Sequence, residues 1–359
     1  MRDHRIVAAF LFLACCVGGL VSVAAHLSGP AGRAVLDRFS WQGLLTGSFA
    51  AAFDRDVAAG APESAALNGF VDGATYALLN DAGAQVRAGC PGWLFLAEET
   101  LEVKGGASHL AARARMAGMI AADLARRGIT LVVLPVPDKV AMTPETSCAL
   151  AVSSQARDRL AAWHAHAAKP KLNEIDVTTD WPAPGFLRTD THWDVSGAAF
   201  AAARVAAVVR RLDDDGKTQV TLTEGPDHLR PGDLMRLANL TRTASWFGPA
   251  PDTVRDVSAD IARSGGLLDD APAPDTVLAG SSYSLNSGFL ESLQHALHRE
   301  VVQRSEAGGG FSGALLALLD KGPEALKPVK LVIWEWPARS LTLPLTAAER
   351  RYMEIHAHD

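Results

Sequence analysis

Between Ile129 and Lys139 the chain reads "ITLVVLPVPDK", an unbroken apolar run closed by charged residues. Such a run suits a strand buried on both faces of a parallel sheet. Two more segments share the pattern, "PDTVLAG" (274–280) and "KLVIWEWPARSL" (330–341). Ahead of the first, "ASHLAARARMAGMIAADLARRG" (107–128) places apolar residues at steps of three and four and stops at Gly128, which predicts a helix. Further helices are expected over about 154–168, over 196–212 and in "LNSGFLESLQHALHR". "GWLFLAEE" (92–99) reads as a short buried strand after a glycine turn. Strands alternating with helices predict an α/β domain with a mostly parallel sheet. Residues 213–272 are polar and broken by Gly and Pro, an insertion expected over the sheet edge or the site. Residues 28–85 read as a mixed helical extension, and no internal repeat stands out.

The first segment breaks this pattern. Ile6 to Ala25 is twenty residues without a charge, long enough to cross a bilayer. Arg2 and Arg5 precede it, so the positive-inside bias exports the remainder of the chain. The expectation is a periplasmic protein held to the inner membrane by residues 6–25. Cleavage before His26, after the small residues Val23 and Ala25, is the other outcome. Beyond that segment stand Cys90 and Cys148, which in an oxidising compartment form either a disulfide or two buried thiols.

Composition narrows the function classes. The 359 residues carry a formal net charge of −6, which gives no nucleic-acid surface. Phosphate-loop fingerprints are absent and no cofactor is expected. The "HAH" triplets at 164–166 and 356–358 put their histidines on different helix faces, so no metal is expected there.

In a parallel sheet, ligands bind beyond the carboxyl ends of the strands, here after Leu134, Leu278 and Ile333. The middle loop carries Ser281, Ser282, Tyr283 and Ser284. A serine on a tight strand-to-helix turn is exposed and has backbone N–H groups beside it to receive an oxyanion. It needs a base, and the base needs an orienting group. "FLRTDTHWDVSGA" (186–198) offers both: His192 as base, with Asp190 or Asp194 to orient it. The plainer reading of the same stretch is a helix cap by Asp194 or Ser196. Trp193 and Tyr283 are candidate sugar contacts, Asp138 and Lys139 end a strand on the site side, and Asn286 follows the serine turn. Each is equally a packing or surface residue on spacing alone.

"GWLFL", "LPVPDK", "DTHWDVSGA", "GDL", "GSSYS" and "WEWPARSL", in that order, resemble the alginate O-acetyltransferase family of the AlgJ/AlgX type over about residues 35–345. The resemblance implies an SGNH-hydrolase-like three-layer α/β fold. That fold is circularly permuted here, because the histidine block precedes the serine block. It implies a Ser282–His192–Asp190 triad and transfer of acetyl groups through an acetyl-serine to hydroxyls of an exported polysaccharide such as alginate or cellulose. Trp334 and Glu335 are then expected near the pocket, with Trp193, Tyr283, Lys139 and Glu335 as substrate-binding candidates. The implied partners are the polysaccharide acceptor, a membrane-bound O-acyltransferase that supplies acetyl, and other exopolysaccharide biosynthesis proteins. The chain ends about 18 residues after "WEWPARSL", which fits the AlgJ kind rather than the AlgX kind with its added carbohydrate-binding module. The expected division is a targeting segment 1–27, an extension 28–85, the acetyltransferase domain 86–345 with its insertion, and a tail 346–359. The rival readings are an acetylesterase or deacetylase with the same triad, and a non-catalytic scaffold in an export complex.

Overall fold

The computed structural model of the chain describes residues 2–60, 62–148, 150–167, 172–214, 216–262 and 273–356. Its centre is a five-stranded sheet of β1 (Thr130–Val136), β2 (Asn173–Glu174), β3 (Thr276–Ala279), β4 (Val301–Gln303) and β5 (Leu331–Pro337). The spatial order is β4-β3-β5-β1-β2 and every neighbouring pair is parallel. Helices α1 (Gly106–Arg126), α2 (Arg159–Ala167), α3 (Val195–Leu212), α4 (Phe289–Leu297), α5 (Gly313–Leu319) and α6 (Ala347–Ile355) surround it.

The two-residue alternation of a strand divides the apolar runs between two core layers. Leu131, Val133, Val332, Trp334 and Trp336 pack with α1, α2 and α5. Val132, Leu134, Val136, Leu331 and Ile333 pack with α3 and α4 on the other face. Hence both faces of β1 and β5 are apolar, as a doubly covered parallel sheet requires. On α3, Ala198, Ala201, Ala202, Val205, Ala206 and Val209 form a small buried stripe that lets the helix lie close to its neighbours. Each large aliphatic side chain so buried stabilises the fold by about 1.5–3 kcal/mol.

Several elements depart from the sequence reading. "GWLFLAEE" does hold a strand, Leu94–Leu96, but it pairs antiparallel with Val86–Ala88 outside the central sheet. The helix expected over 154–168 is two pieces, Ser154–Arg157 and α2, interrupted at Asp158. The short strands β2 and β4 are additions to the expected set, because two or three residues carry no readable period. Residues 347–355, expected as tail, form α6, which is docked by a buried Arg113–Glu349 ion pair at 2.9 Å.

The insertion forms two antiparallel ladders, Gln219–Glu224 with Val257–Ala262 and His228–Arg230 with Asp252–Val254, plus the short helix Asp233–Leu237. Residues 263–272 and His358 lie outside the described residues. The apolar run at the start falls within a helix, Arg2–Ser28. Among the described residues no helix is long and apolar enough to cross a membrane, so the anchor expected over 6–25 is not supported. Part of that run, residues 6–9 and 11, lies outside the residues whose side chains are described.

Of the two outcomes open to the cysteines, the disulfide is the one formed: Cys90 and Cys148 are joined across 58 residues of chain. It ties the loop between the Val86–Ala88 hairpin strands to the segment after β1. A loop of this length predicts that the Cys90→Ser/Cys148→Ser variant loses about 2–4 kcal/mol of stability. Thermal melts under non-reducing conditions check this, with dithiothreitol lowering the wild-type midpoint and leaving the variant's unchanged.

Candidate active site

β3, β5 and β1 end side by side, with Ala279 opposite Trp334 and Trp334 opposite Val133. The chain leaving β3 passes through Gly280 and turns at once into a short 3-10 helix, Ser282–Leu285. Gly280 has no room for a side chain, since a Cβ there would lie 2.1 Å from Ser284 Oγ and 2.8 Å from Glu335 Oε2. Ser281 caps the turn through its hydroxyl, which accepts from Tyr283 N at 3.2 Å. Asn286 donates to the Ser282 carbonyl at 2.7 Å. It therefore belongs to the turn rather than to a polar helix surface.

The histidine segment reaches the same place from α3. It folds back on itself, with Leu187 N donating to His192 O at 3.1 Å and an isolated bridge between Phe186 and Trp193. Asp190 Oδ1 accepts from His192 N at 3.1 Å and stands 2.6 Å from His192 Nδ1. On the other side of the ring, His192 Nε2 is 2.8 Å from Ser282 Oγ. The three side chains therefore form one continuous hydrogen-bonded chain. Asp194 does not compete, because it caps α3 and accepts from Gly197 N at 2.9 Å.

Burial alone would raise the Asp190 pKa. The hydrogen bond and charge of His192, with the N–H groups of His192 and Asp233, outweigh it and hold the carboxyl well below the usual range. Asp233, from the insertion, adds a second carboxylate 3.8 Å from His192 Nδ1. Asp190, His192 and Asp233 are the one trio among the described residues that brings metal-ligand atoms within 4.8 Å of one another. Both ring nitrogens of His192 are already engaged within the serine chain.

The four expected substrate contacts are placed differently. Trp193, Tyr283 and Lys139 are 0 % exposed and Glu335 1 %, so none presents a face on which a sugar ring can lie. Trp193 packs on Phe289 and Tyr283 at ring distances of 4.8 and 5.1 Å. The Tyr283 hydroxyl donates to Thr191 O at 3.0 Å, and its ring meets His192 edge-on at 4.9 Å. Lys139 Nζ donates to the carbonyls of Leu94, Arg188 and Asp190 at 2.6, 3.0 and 3.0 Å. Burial pushes its pKa down to about 8. Glu335 lies under the serine turn, bonded to Ser281 and Ser284, and burial pushes its carboxyl up. Trp334 points to the opposite core layer, donating to Phe311 O at 2.9 Å. Periodicity places such residues at strand ends but cannot say which way a loop folds over them.

Beneath the site lies a set of largely buried charges from which sequence reasoning singles out Asp138 alone. Asp138 pairs with Arg159 at 2.6 Å, and Arg339 contacts Tyr283 at 3.3 Å and Glu99 at 3.8 Å. Burial, with Asp138 nearby, pushes Glu99 up to about 7 from 4.5. Besides "LPVPDK" for Asp138, the signals are "GDL" for Asp233 and "WPARSL" for Arg339, motifs to which spacing assigns no role. A polar groove of about 410 Å³ adjoins the site, bordered by Leu187, Asn286, Arg230 and Thr253.

A carboxyl whose folded pKa is raised favours folding below its unfolded pKa and loses that contribution as pH rises through the folded value. Glu99 therefore contributes a fall in stability between about pH 4.5 and 7. Glu99→Gln, which keeps the uncharged form at every pH, should flatten the decline of the thermal midpoint over that window. An unchanged slope in melts from pH 4.5 to 8 would count against this assignment.

The fold that carries this site has counterparts among known proteins. The family described as SGNH hydrolase-like domain, acetyltransferase AlgX, matches residues 86–338. A probable alginate O-acetylase AlgJ of Pseudomonas putida is 30% identical over 356 residues, which is 95% of this chain and 91% of that protein. Its counterpart in Pseudomonas aeruginosa is 30% identical over 289 residues, 75% of this chain and 73% of the relative. Among solved structures, the O-acetyltransferase domain of Pseudomonas putida AlgJ has a TM-score of 0.67 at 26% identity, covering 76% of this chain and 99% of that one. The parallel α/β sheet, the family match across residues 86–338 and a relative aligned along nearly its whole length give one answer: the chain belongs to the SGNH hydrolase-like acetyltransferase family of the AlgJ/AlgX type.

Proposed function

We propose that this protein is an O-acetyltransferase that passes acetyl through Ser282 to hydroxyls of an exported polysaccharide of the alginate kind. The observation that carries the reading is the unbroken chain Asp190–His192–Ser282, with contacts of 2.6 and 2.8 Å. The relatives' names, alginate O-acetylases, support the acceptor class. The uncharged run near the N-terminus supports export, hence action in the periplasm. In this reading a membrane-bound O-acyltransferase supplies the acetyl group, and AlgX-like proteins work on the same polymer. Residues 86–345 are the catalytic domain, with residues 28–85 and the insertion as additions to it.

The geometry implies a two-step transfer. Ser282 Oγ attacks the carbonyl of an acetyl donor while its proton passes to His192 Nε2. Asp190 keeps the Nδ1 proton in place and stabilises the imidazolium. The negative charge on the former carbonyl oxygen meets the Ser282 backbone N–H, which has no partner among the described residues. Collapse expels the donor's leaving group, which takes the proton from His192, and leaves acetyl-Ser282. A sugar hydroxyl then gives its proton to His192 and attacks the acetyl carbon. Collapse of this second intermediate releases the acetyl sugar and returns the proton to Ser282. Water entering instead of the sugar gives hydrolysis, so some esterase activity on small acetyl esters accompanies transfer.

Four measurements test the proposal. Incubation with an aryl acetate and oligosaccharides should yield acetylated sugar by mass spectrometry, whereas release of acetate alone would favour the esterase reading. Ser282→Ala should abolish transfer in a folded protein, and surviving transfer sinks the triad. Asp190→Asn should lower kcat by about 10⁴, as for other triads. Asp194→Ala, by contrast, should cost only about 0.5–2 kcal/mol of stability, the loss of a helix cap, and leave kcat nearly intact.

A further inference from the structure

Leu331, Ile333 and Glu335 fall on one face of β5, the face packed against α3 and α4. A carboxylate in such a line is costly to bury unless its oxygens are fully bonded. Glu335 is 1 % exposed, and it is fully bonded by an unusual set of groups. Its Oε2 accepts from Ser281 N at 2.7 Å, Ser284 N at 3.2 Å and Ser284 Oγ at 2.7 Å. Ser281 Oγ donates to Oε1 at 2.8 Å and also lies 3.1 Å from Oε2. Four donors, two on each side of Ser282, thus converge on one carboxylate.

Ser282 lies between these two pairs. Ser281 N and Ser284 N are taken by Glu335, and Tyr283 N is taken by Ser281 Oγ. Of the four N–H groups in Ser281–Ser284, only that of Ser282 is left without a partner among the described residues. Gly280 completes the fit, since a Cβ there would strike both Ser284 Oγ and Glu335 Oε2.

We propose that Glu335 is the positioning residue of the acyl-transfer site: its carboxylate grips Ser281 and Ser284, which fixes the Ser282 hydroxyl and leaves the Ser282 N–H as the free donor for the oxyanion. The assignment rests on Ser282 being the nucleophile. Glu335 touches no substrate, so its effect must appear in turnover rather than in binding. It acts as an acceptor, so a glutamine can substitute for it. The glutamine oxygen keeps both backbone N–H bonds, and its amide donates to the Ser281 hydroxyl, which turns to accept.

The test is steady-state hydrolysis of an aryl acetate together with the rate of labelling of Ser282 by a sulfonyl fluoride. Glu335→Ala should lower kcat and the labelling rate by about 10²-fold or more, the size of a lost oxyanion donor, with KM within about threefold. Glu335→Gln should retain activity within about tenfold of wild type. Ser284→Ala, which removes one of the four donors, should lower kcat by about three- to tenfold at constant KM. If Glu335→Ala does not fold, the Gln and Ser284 variants decide. A glutamine variant as inactive as the alanine variant overturns the assignment. So does an alanine variant within about threefold of wild type, a loss confined to KM, or a Ser284→Ala variant with unchanged kcat. If Ser282→Ala itself retains activity, the reading of the nucleophile fails. If Ser282→Ala is inactive while Glu335→Ala is not, only the role of Glu335 fails.

Discussion

The loop that carries Asp190 and His192 is buried without belonging to the sheet, and that constraint organises much of the molecule. Buried backbone N–H and C=O groups must find partners, and here one isolated bridge and a few backbone bonds supply only some of them. Lys139 satisfies the carbonyls of Arg188 and Asp190. Asp252 takes the N–H groups of Arg188 and Thr189, and Asp233 takes that of Thr191. Tyr283 closes on the Thr191 carbonyl. The insertion is therefore more than an addition at the edge, since it provides two of the carboxylates that hold the histidine in register with the serine.

The same requirement explains why residues with chemical side chains at strand ends became supports rather than substrate contacts. Lys139 and Glu335 are single charges inside the fold, each surrounded by groups of the complementary hydrogen-bonding type. Lys139 meets carbonyls and Glu335 meets N–H and O–H donors, so one steadies the histidine loop and the other the serine turn. Beneath them, the buried Glu99, Asp138 and Arg159 and the partly exposed Arg339 compensate one another. Charges arranged this way fix positions closely, because removing any one leaves its partner buried and unpaired. Catalytic geometry held to a few tenths of an ångström needs such rigidity.

The apolar runs at 130–136 and 331–337 and the period of 107–128 are enough to predict a parallel α/β domain with helices on both faces. Their patterns are direct consequences of strand and helix geometry. The short strands β2 and β4, the break at Asp158 and the packing of α6 are not legible, because their formation depends on neighbours far along the chain. The pairing of Cys90 with Cys148 is open in the sequence for the same reason: residue spacing does not specify distance.

At the site the division is similar. A serine on a tight turn after a strand, and an Asp-x-His stretch opening a helix, are local patterns, and the sequence alone is sufficient to propose their partnership. Whether Asp190 or Asp194 faces the imidazole depends on how the 186–193 segment folds back, which is set by Lys139, Asp233 and Asp252 from three other places in the chain. Trp193 is a candidate sugar platform in sequence and a buried wedge between Tyr283 and Phe289 in the fold. Sequence thus determined which chemical groups are present and on which elements they ride. Tertiary structure decided which of them face Ser282 and which face inward, because burial and hydrogen-bond satisfaction are properties of the whole packed chain.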